Sequence, residues 1–175
     1  MSQATTTARP DADEYASYFA GYVSLAPVGD IVETLGRQLE DVLALLGEVP
    51  ESRGDSRYAP EKWSIKELVG HMSDTERVFA YRALCIARND RAPLPGMDQD
   101  EYMSGANFGA QTLRDLADEF ACVRRASIYL FRHLADEAWL RRGTANGNEV
   151  SVRALAHILA GHAEHHVRIL RERYL

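Results

Sequence analysis

The 175-residue chain is short of cysteine, with two, and has no apolar run of membrane length. Cys85 and Cys122 fall within helical patterns and lack CxxC spacing, so the default setting is reduced and cytoplasmic. No stretch approaches the ~20 apolar residues that cross a bilayer, and no membrane partner is expected. The opening MSQATTTARPDADE has no apolar centre of the kind a signal peptide needs. Positive charge is in deficit as well: 20 lysines and arginines stand against 26 acids, for a net charge of −6. Binding to a nucleic-acid backbone draws on surplus cations that displace counterions, so no nucleic-acid partner is expected. Arginine far outnumbers lysine, but the arginines are interspersed with acids rather than gathered in a patch. Strand-type alternation and internal repeats are missing too. What remains is an ordinary content of apolar and charged residues, in a chain long enough to bury one substantial core.

Four segments carry the three-four spacing of apolar residues that marks one buried face of a helix. The first, from Asp30 to Gly47, aligns Val32, Leu35, Leu39, Val42 and Leu46; Asp30 caps its start, and Gly47 and Pro50 end it. The second opens on a capping box of Ser64 and Glu67, with Trp63 stapled onto Leu68, and runs to about Asn89. The third starts at Thr112 and aligns Leu113, Leu116, Phe120, Val123, Ser127, Leu130 and Leu134; Arg124 and Arg125 fall off that stripe and read as surface charges. The fourth spans Ser151 to Leu175. Residues 1–14 are small, polar and acidic and read as a disordered tail, leaving 15–175 as a single domain. Tyr15, Tyr18, Phe19 and Tyr22 are expected to pack across the outside of that domain as a short helix or turn. About twenty residues separate the second and third helices, too many for a tight turn between antiparallel neighbours. A connection of that length can cross the end of a bundle and let the two helices run parallel. The expected fold is all-α, a four-helix bundle with a long crossover.

Four of the six histidines, His157, His162, His165 and His166, lie in the last segment. Its stripe runs Val152, Leu155, Leu159, His162, His166, Ile169, so two histidines stand where leucines would point into a core. Residues four apart on a helix stack roughly 6 Å from one another, which lets two imidazoles grip one metal ion. A lone histidine on an apolar face is ordinarily a hydrogen-bonded core residue; two at this step would need two separate sets of partners. On the second helix, His71 sits beside Leu68 and Met72 at the edge of the inward stripe. With His162 and His166 it would bring three nitrogens together and leave further positions open, the pattern of a catalytic site. Glu67, Asp74 and Glu76 are the acids placed to orient an imidazole. His157 and His165 point off the stripe toward a flank or solvent, and His133 suits the negative end of its helix. In the crossover, Arg91, Tyr102 and Asn107 are the side chains to watch. Three histidines by themselves do not choose among zinc, nickel, cobalt and iron.

The segments YAPEKWSIKELVGHMSDTE, ARNDRAPLPG and AHILAGHAEHHVRIL resemble the DinB-like superfamily, the DinB/YfiT-like metalloenzymes. The resemblance covers the chain from about Tyr15 onward. The tryptophan-then-histidine start of the second helix and the HxxxH pair of the last carry weight together and little separately. The resemblance implies an up-down-down-up bundle, a divalent metal, typically zinc or nickel, on His71, His162 and His166, and a homodimer. It implies no single reaction. Similar bundles attach a low-molecular-weight thiol to a substrate as metal-dependent S-transferases, act as thiol-dependent isomerases, or look like hydrolases.

Three readings follow. In the first, a metalloenzyme activates a thiol or water at an open position, beside a pocket lined in part by the loop from Arg91 to Asn107. In the second, a stress-related bundle binds metal or a small ligand without turnover. In the third, the bundle is structural and its histidines are core residues. Metal content separates the third from the others, and an open position beside a cavity separates the first from the second.

Overall fold

In the computed structural model, which describes residues 8–175, the chain order is α1 (Ala20–Leu25), α2 (Ile31–Gly47), α3 (Ile65–Ala87), α4 (Gln99–Gly105), α5 (Leu113–Arg132), α6 (Asp136–Trp139), β1 (Arg142–Ala145), β2 (Asn148–Ser151) and α7 (Val152–Ile169). The bundle consists of α2, α3, α5 and α7. Their starts are capped as the sequence implies. Asp30 accepts from the N–H groups of Val32 and Glu33 at 2.8 and 3.0 Å. Ser64 and Glu67 form the full capping box, while Thr112 and Ser151 accept from Asp115 and Ala154. One continuous core, including Leu35, Ile65, Leu68, Leu116, Phe120, Phe131, Leu155 and Ile158, joins the four helices.

Helix directions follow from bonds at each end. The Glu51 carboxylate accepts from the Leu113 N–H at 2.9 Å and lies 3.6 Å from Lys66 Nζ, so α3 and α5 start at the same end. Further along, Arg77 meets Glu119 at 2.6 Å and Glu76 meets Arg124 at 2.9 Å, so the two run parallel. The start of α7 lies at the other end: Val152 N–H donates to Arg141, whose guanidinium reaches the Ala87 carbonyl at the end of α3. Its far end returns to the start of α3, where Tyr174 donates to the Trp63 carbonyl. Helix α2 lies against both, as Gln38 donates to the Ala160 carbonyl at 2.9 Å and accepts from Arg124 at 3.4 Å. The order is up-down-down-up, and the crossover before α5 is what allows it. No helix of the described residues is long and apolar enough to cross a membrane.

Four expectations are corrected. The hairpin β1–β2 adds a small antiparallel sheet to the helices, paired from Arg142↔Ser151 to Ala145↔Asn148. Asn146 and Gly147, both at positive φ (50° and 72°), close it as a two-residue turn. Its strands, RGTA and NEVS, bury only Ala145, Val150 and Ser151, too little alternation to be read from sequence. The hairpin also anchors the crossover to the bundle, because Leu94 bonds Thr144 and Asn146 at 2.9 and 3.0 Å.

The tail is shorter than expected. Residues 1–7 of the expected disordered segment lie outside the described residues, but Arg9 donates to the carbonyls of Val23 and Ala26, and Glu14 is 3% exposed. Burial would raise the Glu14 carboxyl, yet the bonds from Arg153 and Ser151 outweigh it and hold its pKa at about 2. Arg124 is no surface charge: it is 1% exposed and paired with Glu76 inside the bundle. The aromatic segment, finally, does more than cover the outside. Val23 and Ala26 are buried, and α1 lies directly on α7, where a Cβ at Gly161 would overlap the Tyr22 carbonyl. Glycine at 161 is what lets Tyr22 come down over the histidines.

Candidate metal centre

His71 projects from the second turn of α3, and His162 and His166 project from adjacent turns of α7. The packing of α3 against α7 brings them together as the stripes imply. His162 Nε2 lies 3.0 Å from His71 Nε2 and 3.0 Å from His166 Nε2. Ring nitrogens of all three lie within 4.8 Å of one another, and each residue is buried. A neutral imidazole nitrogen either carries its proton or offers its lone pair. His162 Nε2 therefore cannot serve both neighbours well by hydrogen bonding alone. Three nitrogens held by a tetrahedral zinc at about 2.0–2.1 Å would stand about 3.3 Å apart, close to the observed spacing. The donor set fits a divalent ion.

Electrostatics keep these rings neutral. Burial lowers the His71 pKa to about 4, with His165 adding to the effect. Burial lowers His162 and His166 well below the usual histidine value, helped by the neighbouring imidazoles. Neutral rings keep the lone pair that a metal ligand needs. Around them, the Trp63 ring lies 4.7 Å from His71, and Tyr22 meets His162 and His165 edge-on at 5.5 Å. Thr75 Oγ1 is 3.5 Å from His71 Nε2.

A cavity of about 390 Å³ opens beside His71 and His162, bordered by Thr75, Phe79 and Leu159 and by Met97, Asp98, Gln99 and Asp100 of the crossover. A second, about 330 Å³, reaches His166 and His165 between Trp63, Tyr58 and Tyr174. Tyr22, Gln99 and Asp100 border both. The crossover does line the site, but through residues 97–100 rather than the ones singled out. Arg91 bonds Asn89, Tyr102 is 46% exposed, and Asn107 is exposed in the turn before α5.

The acids expected to orient an imidazole do other work. Glu67 closes its capping box and pairs with Arg57, Asp74 pairs with Arg77, and Glu76 pairs with Arg124. Nδ1 of His166 is buried without a partner among the described residues. Sequence reasoning missed Tyr22, Trp63 and Thr75 at the site. For Thr75 a signal existed, since it lies four residues after His71 on the same face.

His133 is exposed at the end of α5 and is not part of the cluster. His165 is half-buried at its edge. His157 lies off the cluster but is not solvated: it is 2% exposed, its Nδ1 is 2.9 Å from the Arg153 carbonyl, and burial lowers its pKa to about 4. In the unfolded chain the ring takes its proton near 6.5. Between pH 6.5 and 4 the unfolded state therefore binds the extra proton, so stability is full above 6.5 and falls as the pH drops. For His157 alone the loss should reach about 2 kcal/mol by pH 5. Urea unfolding of metal-free protein at pH 7 and pH 5 measures it, and His157→Gln should flatten the difference by that amount. An unchanged difference in the variant would place the acid sensitivity in other groups.

Fold and site together define a class: a helical bundle with a buried set of three neutral imidazoles, able to hold a metal, beside open cavities. The chain belongs to the DinB superfamily, whose family model matches residues 34–170. A curated relative from Oceanobacillus iheyensis, named provisionally as a metal-dependent hydrolase, is 28% identical over 148 residues, covering 80% of this chain and 83% of its own. YfiT from Bacillus subtilis, described as a provisional metal-dependent hydrolase with an unusual four-helix bundle topology, matches with a TM-score of 0.67. That match covers 93% of this chain and 89% of YfiT at 13% identity, and it supports the fold.

Proposed function

We propose that His71, His162 and His166 hold one divalent ion, zinc or nickel, and that the protein is a metal-dependent hydrolase or thiol S-transferase acting on a small molecule. The observation that carries this reading is the convergence of three buried Nε2 atoms, with His71 and His162 bordering the 390 Å³ cavity and His166 the 330 Å³ one. A bound divalent ion stabilises the deprotonated form of a water or thiol, which turns either into a nucleophile at neutral pH. The rest is work for the chain itself. Burial keeps the three rings neutral at physiological pH, so each retains one ring nitrogen with a lone pair to offer a metal. Trp63 and Tyr22 pack on the rings and fix their planes. Phe79 and Leu159 give the cavity apolar walls that restrict water, and the Thr75 hydroxyl is placed to hold a polar group of the reactant beside His71. The hydrolase form of the reading is supported by the names of the relatives, and the thiol form by the family resemblance. A homodimer belongs to the same proposal on that resemblance, and a reduced cytoplasmic setting on the free thiols of Cys85 and Cys122.

Protein purified without an affinity tag or chelator should carry close to one divalent ion per chain. It should then turn over activated esters or join a small thiol to an electrophile, with loss on metal removal and recovery on reloading. Full metal content with no turnover of either substrate type would favour a non-catalytic metal binder. Failure to take up zinc or nickel at all would return the histidines to the core.

A further inference from the structure

Arg82 continues the stripe His71, Thr75, Phe79 along α3, and all four border the larger cavity. It is 5% exposed. A buried guanidinium is ordinarily paired with a carboxylate, as Arg124 is with Glu76 in this same bundle. Among the described residues Arg82 has no such partner. Its Nη2 donates to the Pro95 carbonyl at 2.7 Å, and its Nε is buried without a partner. Burial lowers its pKa, as expected for a cation with no counter-charge, although an arginine stays protonated. Its Cζ lies 4.9 Å from the Phe79 ring centroid, which folds the guanidinium back toward the histidine end of the cavity.

Two acids border this cavity, and neither neutralises Arg82. Asp98 and Asp100 are exposed, and Asp98 accepts from the N–H groups of Asp100 and Glu101 at 2.9 and 3.1 Å to cap α4. Holding the Pro95 carbonyl uses one of five guanidinium N–H groups, so a purely structural role leaves most of the donor set idle. Apart from Thr75 on the same stripe, the side chains that α1 and α7 and Phe79 add to this cavity are apolar or aromatic: Phe19, Tyr22, Phe79, Ile158 and Leu159, with His162 itself. Residues 71 and 82 are separated by about 16 Å of helical rise, shortened by the fold-back of the side chain.

We propose that Arg82 anchors the anionic end of the substrate, which makes the substrate class an elongated organic acid. Its acid group sits at Arg82, its apolar body runs along the aromatic wall, and its reacting group lies at the histidines. Only the reacting end rests on the three-histidine reading; the acid-binding end rests on Arg82 and the cavity.

The test is calorimetric titration of the full chain with 4-phenylbutyrate and with its neutral isostere 4-phenylbutanamide, in metal-free protein and after zinc loading. The acid should bind the metal-free protein about tenfold more tightly than the amide, the size of a charge-assisted hydrogen bond. Arg82→Gln should erase that ratio and leave amide binding unchanged, and Arg82→Lys should keep part of it. Equal binding of acid and amide to the native protein overturns the assignment, as does a ratio that survives in Arg82→Gln. Should Arg82→Gln fail to fold, the native ratio and Arg82→Lys decide. An intact ratio in a protein that takes up no zinc would sink the three-histidine reading and leave Arg82 as the anion site.

Discussion

Glu76→Leu should destabilise the protein by about 3–5 kcal/mol, the usual effect of stripping one partner from a buried ion pair. Arg124 is 1% exposed and lies between three bundle helices, with Glu76 on α3 at 2.9 Å and Gln38 on α2 at 3.4 Å. Without the carboxylate its charge would keep only one long bond to a neutral amide. The double substitution Glu76→Leu with Arg124→Met should recover most of the loss, because the pair is incompletely satisfied to begin with. Glu76 Oε1 and Arg124 Nε are both buried without partners among the described residues. Urea unfolding of the native, single and double variants gives the three numbers. A single substitution costing under about 1 kcal/mol would mean that water reaches the pair.

His162→Ala should lower the affinity for zinc or nickel by more than 100-fold, beyond the 10–100-fold seen when only an outer partner of a ligand is lost. His162 Nε2 is the atom that touches both other Nε2 atoms, so its removal leaves two nitrogens on different helices with nothing between them. The effect is separable from folding. A ligand at a thousandfold excess over its Kd adds about 4 kcal/mol to stability, and the variant should lose that metal-dependent increment. Thermal unfolding with and without added zinc, beside metal analysis, reads both quantities. Retention of the metal-dependent shift in His162→Ala would move any bound ion to another site.

Much of the bundle is written locally. Asp30, Ser64, Thr112 and Ser151 cap the four helices at the positions their side chains imply, because capping depends on residues within one turn. The histidine set was legible for the same kind of reason. An i, i+4 pair on a buried stripe reads as a converging pair whatever the rest of the chain does, and His71 was the histidine of the second helix able to face it.

Other features could not be read, and α5 illustrates why. Apolar spacing put Val123 and Leu130 on its inner face and Arg124 outside, whereas Arg124, Ile128 and Phe131 are buried and Val123 and Leu130 are half-buried. A periodicity reading assigns arginine to solvent unless its partner is known, and Glu76 is 48 residues away on another helix. The hairpin, the placement of residues 97–100 and the seat of Tyr22 over the histidines likewise depend on distant contacts: Leu94 with Thr144, and Tyr22 against Gly161.

The sequence by itself determined four capped amphipathic helices, a crossover long enough to make two of them parallel, and the three histidines that meet. Only the tertiary structure decided what surrounds them: a cavity bordered by an arginine that has no carboxylate partner among the described residues, aromatic walls, and acids engaged elsewhere. The division has a physical cause. Helix period and capping are set within a few residues, while burial, charge pairing and the shape of a cavity are set by whichever distant segments the fold brings together.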